Sequence, residues 1–261
     1  MTKICYFSST GNTLWSAKKI AAQSGDNCEL VNISAEATNE IIILKADTIV
    51  LLFPAYAYGL PLIVRDFIKR AEFRTPYIAA FVTYGTTPGG ALAETCRILR
   101  QKRISAAWYG RIPAVENYTA MFGPQKPETI KRRIQLQEKA TEEAVYRIRS
   151  QETNRVFTFR PLSAFVSMLF SLGVKLFYRW YRVTEACDGC GTCEKICPVS
   201  GIIMNSGKPL FTKKCEHCQG CIQWCPKNAI LFGRVRPGTA RYHHPEIGIT
   251  EMLHEESRNH G

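Results

Sequence analysis

The sequence predicts an α/β chain in which a doubly wound, parallel, five-stranded sheet is followed by a small C-terminal α+β domain. Two observations carry this. Short apolar strands alternate with helical stretches over roughly the first 150 residues, and eight of the eleven cysteines fall between positions 187 and 225 in two copies of one pattern. An aromatic and aliphatic stretch lies between the two regions. The expected division is therefore a domain over 1–150, a connector over 151–183 and a second domain with its tail over 184–261.

Lys3–Phe7 reads as the first strand, and Leu14, Ala17, Ile20 and Ala21 recur at helical spacing after the polar loop that follows it. Cys28–Ile33, Asp47–Phe53, Pro76–Tyr84 and Ile104–Gly110 read as the remaining four strands, with helices near 61–72 and 89–103. Residues 124–150 carry Ile130, Ile134, Ala140, Ala144 and Ile148 among Lys, Arg and Glu, which predicts a helix closing the first domain.

In the connector, Phe157–Tyr181 is rich in apolar residues. Its uncharged run from Pro161 to Val174 is shorter than a bilayer span, so no transmembrane segment is expected. The plain expectation is an apolar face packed on the protein. An interfacial membrane or partner-binding helix flanked by Arg160, Lys175, Arg179 and Arg182 is the alternative, which leaves peripheral membrane contact open. The opening MTKICYFSSTGNT lacks a long apolar signal region, and the chain is expected to be cytoplasmic.

CDGCGTCEKICP (187–198) and CEHCQGCIQWCP (215–226) share the pattern C-x-x-C-x-x-C-x-x-x-C-P at an offset of 28 residues. Two-residue gaps let a tight loop aim three sulfurs at one cubane, while the fourth cysteine, followed by Pro, reaches the other cluster. On this logic Cys187, Cys190, Cys193 and Cys225 hold one [4Fe–4S] cluster, and Cys197, Cys215, Cys218 and Cys221 hold a second. Neither run alone supplies four ligands to one cluster, so neither half is expected to stand alone. Zinc explains neither the third cysteine of each run nor the trailing Pro. Cys5, Cys28 and Cys96 are expected to be small buried side chains without chemistry. Over about residues 184–233 these runs resemble bacterial two-cluster ferredoxins.

Between the first strand and first helix stands Ser8-Ser9-Thr10-Gly11-Asn12-Thr13, where backbone N–H groups and the helix dipole attract a phosphate. Neither a G-x-G-x-x-G nor a Gly-Lys-Ser/Thr motif is present, which disfavours dinucleotide and nucleotide triphosphate readers. An open sheet binds its ligand beyond the carboxyl ends of its strands, where the third and fourth strands run into Pro54-Ala55-Tyr56-Ala57-Tyr58-Gly59 and Tyr84-Gly85-Thr86-Thr87-Pro88-Gly89-Gly90.

The hydroxyl-rich loop resembles the FMN phosphate loop of flavodoxins, and that resemblance covers about residues 1–150. It implies FMN as cofactor, with Tyr56, Tyr58 and Tyr84 as candidates to stack on the flavin ring and Gly85 and Gly89 letting backbone amides reach its polar edge.

The net charge of +12 is concentrated in the middle: residues 97–160 carry 14 basic and 6 acidic side chains. Four thiolates around an oxidised cluster core leave about −2 per cluster, and a flavin phosphate removes about 2 more, so the loaded protein stands near roughly +6. Nucleic acid is not an expected partner.

Together the two modules resemble the fused flavodoxin–ferredoxin proteins of anaerobic bacteria and archaea called the EFR1 family, as does the tail segment Arg241-Tyr242-His243-His244-Pro245. The resemblance implies electron transfer between two [4Fe–4S] clusters and FMN, in a ferredoxin-linked oxidoreductase of anaerobic metabolism. Its expected partners are a redox protein, either a ferredoxin or an electron acceptor, and a small organic substrate. A non-catalytic electron carrier or docking subunit is the competing reading.

Overall fold

The computed structural model of the chain describes residues 1–25, 27–156 and 161–253; Phe157–Arg160 of the connector and the last eight residues lie outside the described residues. It divides into two compact units. The first comprises Met1–Ser8, Asn12–Glu116 and Gln125–Leu172; the second comprises Ser9–Gly11, Asn117–Pro124 and Gly173–Gly261.

In the first unit, β1 (Thr2–Tyr6), β2 (Cys28–Asn32), β3 (Thr48–Pro54), β4 (Tyr77–Tyr84) and β5 (Trp108–Pro113) form one sheet in the order β2-β1-β3-β4-β5. Every pairing is parallel, with Tyr6 opposite Asn32 and Leu52, and Leu52 opposite Phe81. This is a doubly wound order whose direction reverses between β1 and β3, the place where such sheets take ligands.

Helices α1 (Asn12–Gln23), α2 (Leu62–Arg70), α3 (Ala91–Gln101) and α4 (Pro127–Arg149) belong to this unit, as do the first twelve residues of α5 (Pro161–Phe177). Ile4, Val50, Leu52, Ala79, Phe81 and Ile112 pack with Ala17 and Ile20 of α1 and Ala144, Val145 and Ile148 of α4. Their strand neighbours Ile49, Leu51, Phe53, Ile78, Ala80 and Val82 are buried too, and strand alternation turns them to the opposite face. That two-sided burial is why β3 and β4 read as unbroken apolar runs. Replacing Leu52, fully buried in the central strand, with Ala is expected to cost about 2–5 kcal/mol, read as a lowered thermal midpoint by circular dichroism.

Four strands lie within one or two residues of the sequence expectation, and the fifth starts later. Ile104 donates its N–H to Leu99 O at 2.9 Å and so finishes the turn after α3; pairing begins only where Ala107 N–H reaches Ile78 O at 2.7 Å. A short parallel pair, Ile43–Lys45 with Glu72–Arg74, is a further element that the sequence pattern does not signal.

In the second unit, Arg182–Val183 pairs antiparallel with Ile230–Leu231, and Ile202–Asn205 pairs antiparallel with Lys208–Phe211. Short helices cover Thr119–Phe122, Thr192–Lys195 and Gly220–Gln223. Ile202, Ile222, Ile230, Leu231, Phe232 and Val235 make its core together with Cys193 and Cys221. His217 stands inside it, 2.9 Å from Tyr118 Oη through Nε2 and 3.0 Å from Tyr181 Oη through Nδ1. Burial pushes this imidazole down to about 4, so at neutral pH it is uncharged and has one ring nitrogen to donate and one to accept.

Candidate cofactor sites

In the first unit, Asn12 and Thr13 open α1 and both are buried. Thr13 Oγ1 lies 2.7 Å from Thr83 Oγ1 on β4, and Asn12 Nδ2 donates to Val115 O at 3.1 Å. Gln137 of α4 is fully buried and donates to Asn12 O at 2.8 Å and to Ser16 Oγ at 3.0 Å. Sequence reasoning missed it, because a Gln in a charged helix looks like a solvated side chain. The first turn of α1 has no acidic residue, so the field of the helix N-terminus is uncompensated and suits a phosphate dianion.

Beyond β3, Tyr56 and Gly59 exchange backbone hydrogen bonds at 3.0 and 2.8 Å around Ala57 and Tyr58, whose φ values are 42° and 68°. Two consecutive non-glycine residues at positive φ are sparsely populated conformations of the kind that recur at ligand loops. The neighbouring turn supports them. Gly90 N–H donates to Tyr58 O at 2.7 Å, and Gly89, at φ +52°, lies so close that a Cβ there would overlap Tyr58 Cα. Tyr58 keeps 46% of its surface exposed, whereas the ring of Tyr56 is edge-on to Phe7 at 6.2 Å. Tyr58 is therefore the freer of the two to stack on a flat ring.

After β4, Thr86 donates its N–H and Oγ1–H to Glu116 Oε2 at 3.1 and 2.9 Å. Glu116 thus holds the Tyr84-Gly85 turn, a role with no local sequence signal because its partner is thirty residues away. A cavity of about 550 Å³ opens beside Tyr58, with Arg65, Glu94, Arg97 and Met168 among its walls and an Arg65–Glu94 ion pair of 2.6 Å.

In the second unit, Ser9 and Thr10 are held by their carbonyls, and Thr10 also by its hydroxyl. Trp224 Nε1–H donates to Ser9 O at 3.0 Å, His244 N–H donates to Thr10 O at 2.8 Å, and Asn117 Nδ2 donates to Thr10 Oγ1. The tail Arg241–Pro245 acquires a structural role here. Arg241 Nη2 bonds the carbonyls of Asn228 and Ile230, Tyr242 N–H bonds Gln223 Oε1, and His243 stacks on Trp224 at 4.0 Å.

The cysteine runs repeat in backbone as well as in sequence. Gly189 and His217 take positive φ of 77° and 55°, Gly191 and Gln219 take 73° and 65°, and Ser200 and Asn228 take 49° and 51°, each pair 28 residues apart. Helices Thr192–Lys195 and Gly220–Gln223 keep the same offset. So do the amide bonds to sulfur, from Gly201 to Cys197 at 3.1 Å and from Ala229 to Cys225 at 3.3 Å.

Cys187, Cys190, Cys193 and Cys225 line one small cavity with Met204, Pro209 and Ile230. Burial is the main reason the thiols of Cys215, Cys218 and Cys221 are raised, and a thiolate at Cys197 would raise all three further, as one at Cys193 would raise Cys221. Burial also pushes Cys193 up to about 12 and Cys215 up to about 11. Such thiols stay protonated until a metal centre supplies positive charge. Among the described residues no three ligating side chains converge as closely as a single ion requires, whereas a cubane spreads four thiolates over its corners. The donor set fits iron–sulfur chemistry. Cys5 is wholly buried, and desolvation holds its thiol well above the ordinary range.

Residues 3–107 match the family model of the flavodoxin domain, and residues 180–203 match that of the 4Fe-4S binding domain. Together these two domains indicate a flavin and iron–sulfur electron-transfer protein. No curated protein matches the chain.

Similar solved structures include the Trp repressor binding protein from Bacillus subtilis, 13% identical over 57% of this chain and 97% of that one, at a TM-score of 0.35. Megasphaera elsdenii flavodoxin is 21% identical over 54% and 99%, at 0.33. An FMN-dependent NADH-azoreductase from Bacillus anthracis str. Ames Ancestor is 12% identical over 56% and 99%, at 0.35.

Proposed function

We propose that this chain is a fused flavodoxin–ferredoxin oxidoreductase of the EFR1 type, exchanging electrons between two [4Fe–4S] clusters and one FMN in a reducing cytoplasm. A low-potential ferredoxin is the proposed electron donor, and an organic molecule or second redox protein the acceptor. The observation that carries this reading is the 28-residue backbone repeat, which gives the second cysteine run the same turns, helix and N–H···S bonds as the run that the 4Fe–4S model matches.

FMN supplies two-electron chemistry that can be released in single steps, and each cluster carries one electron. The residues of this chain set the conditions. Cys187, Cys190, Cys193 and Cys225 are proposed to bind one cluster, and Cys197, Cys215, Cys218 and Cys221 the other. The amides of Gly201, His217 and Ala229 donate to Cys197, Cys215 and Cys225 and so stabilise charge on sulfur. Ser8–Thr13 is proposed to bind the flavin phosphate, with Tyr56, Tyr58 and Tyr84 flanking the ring. The cavity beside Tyr58 favours an oxidoreductase with an organic acceptor over a pure carrier, which needs no such space.

Anaerobic purification followed by iron, sulfide and flavin analysis tests the reading. About eight iron, about eight sulfide and one FMN per chain are expected; about four iron, or no flavin, contradicts the corresponding half.

A further inference from the structure

Helix α5 is folded inside out. Ser163, Ser167 and Ser171 recur every four residues on its protein side: Ser167 is buried, Ser171 accepts from Arg65 Nη1 at 3.3 Å, and a Cβ on Gly59 would overlap Ser167 Oγ. Leu162, Phe165, Met168, Leu169, Leu172 and Leu176 form the other side, each more than half exposed. An ordinary surface helix turns its apolar stripe inward and its serines outward. A contiguous apolar face of this kind marks an interaction surface.

Charge indicates what covers it. No acidic residue occurs between Glu152 and Glu185, whereas Arg155, Lys175, Arg179 and Arg182 all fall in that stretch and are exposed. Trp180, 58% exposed, and Tyr178 stand at the C-terminal end, with the amphipathic rings that favour the boundary between hydrocarbon and headgroups. Apolar side chains beside unopposed cations, with aromatic rings at one end, match an anionic lipid surface.

We propose that α5 lies in the plane of an anionic bilayer, its Leu and Phe side chains at the acyl boundary and Lys175 and Arg179, at its C-terminal end, on the headgroups. By length and composition Pro161–Trp180 also passes as a membrane-crossing segment, because the turn Tyr178–Trp180 extends the helix beyond the uncharged run counted from sequence. One feature places it on the membrane rather than through it: its serine side is bonded to its own unit, with Ser171 Oγ accepting from Arg65 and Ser167 against Gly59.

Flotation of the anaerobically purified full chain with lipid vesicles tests the proposal. Vesicles with about 30% phosphatidylglycerol are expected to carry most of the protein at low salt. Binding is expected to fall about tenfold or more on pure phosphatidylcholine and to weaken as salt rises. Leu169→Glu with Leu172→Glu is expected to abolish flotation, and Lys175→Glu with Arg179→Glu to remove the preference for anionic lipid, with iron content and circular dichroism unchanged in both. Absence of flotation with anionic vesicles overturns the proposal, as does equal flotation of the leucine variant. A vesicle-indifferent dimer that Leu169→Glu with Leu172→Glu dissociates also overturns it and assigns the face to a second copy.

Discussion

Cys187→Ala with Cys225→Ala is expected to leave about four iron and four sulfide per chain, whereas Cys187→Ala with Cys197→Ala is expected to leave close to none. Both variants remove two thiols. In the proposed ligation the fourth cysteine of each run serves the cluster of the other, so the first pair of substitutions strips one site twice and the second pair strips both once. The cavity shared by Cys187, Cys190, Cys193 and Cys225 and the spacing of the two cysteine runs lead to this assignment. If each run held its own cluster, the two outcomes would be exchanged, and metal analysis with electron paramagnetic resonance separates the cases.

Gly89→Val is expected to weaken FMN binding about 100-fold, equivalent to about 2.7 kcal/mol. A side chain at φ +52° is strained, and its Cβ would overlap Tyr58 Cα, so the turn after β4 can no longer support the Tyr56–Gly59 loop. Fluorescence titration of the flavin-stripped protein with FMN measures the loss. Iron content is expected to stay at the wild-type value, since Gly89 belongs to the unit without the cysteine runs. Gly25, at φ +86° with open space around it, provides a control through Gly25→Asn.

The legible and illegible parts of this chain separate by the range of the interactions that decide them. The strands over 48–54 and 77–84 announce themselves because burial on both faces leaves no polar interruption, and the cysteine runs do so because cluster ligation fixes spacing within twelve residues. Glu116 at Thr86 and Gln137 at Asn12 are set by contacts 30 and 125 residues apart, which local pattern cannot reveal. Helix α5 shows a different limit. The apolar content of Phe157–Tyr181 is plain in the sequence, but composition is blind to which way an apolar face points: Val174 and Phe177 pack on the protein as expected, whereas Leu162, Phe165, Leu169, Leu172 and Leu176 stay exposed. The tail was recognisable only as a resemblance, because its contacts join residues 241–244 to Thr10, Gln223 and Asn228.

Those tail contacts bear on how the molecule is made. The second unit includes both Thr10 and His244, joined by a hydrogen bond of 2.8 Å, so it closes a loop of more than two hundred residues. During synthesis Ser9–Gly11 precedes its partner His244 by more than two hundred residues, and most of the first unit can fold in between. The loop proposed for the flavin phosphate therefore reaches its final form only after both cysteine runs have been made, and flavin loading and cluster assembly are expected to coincide.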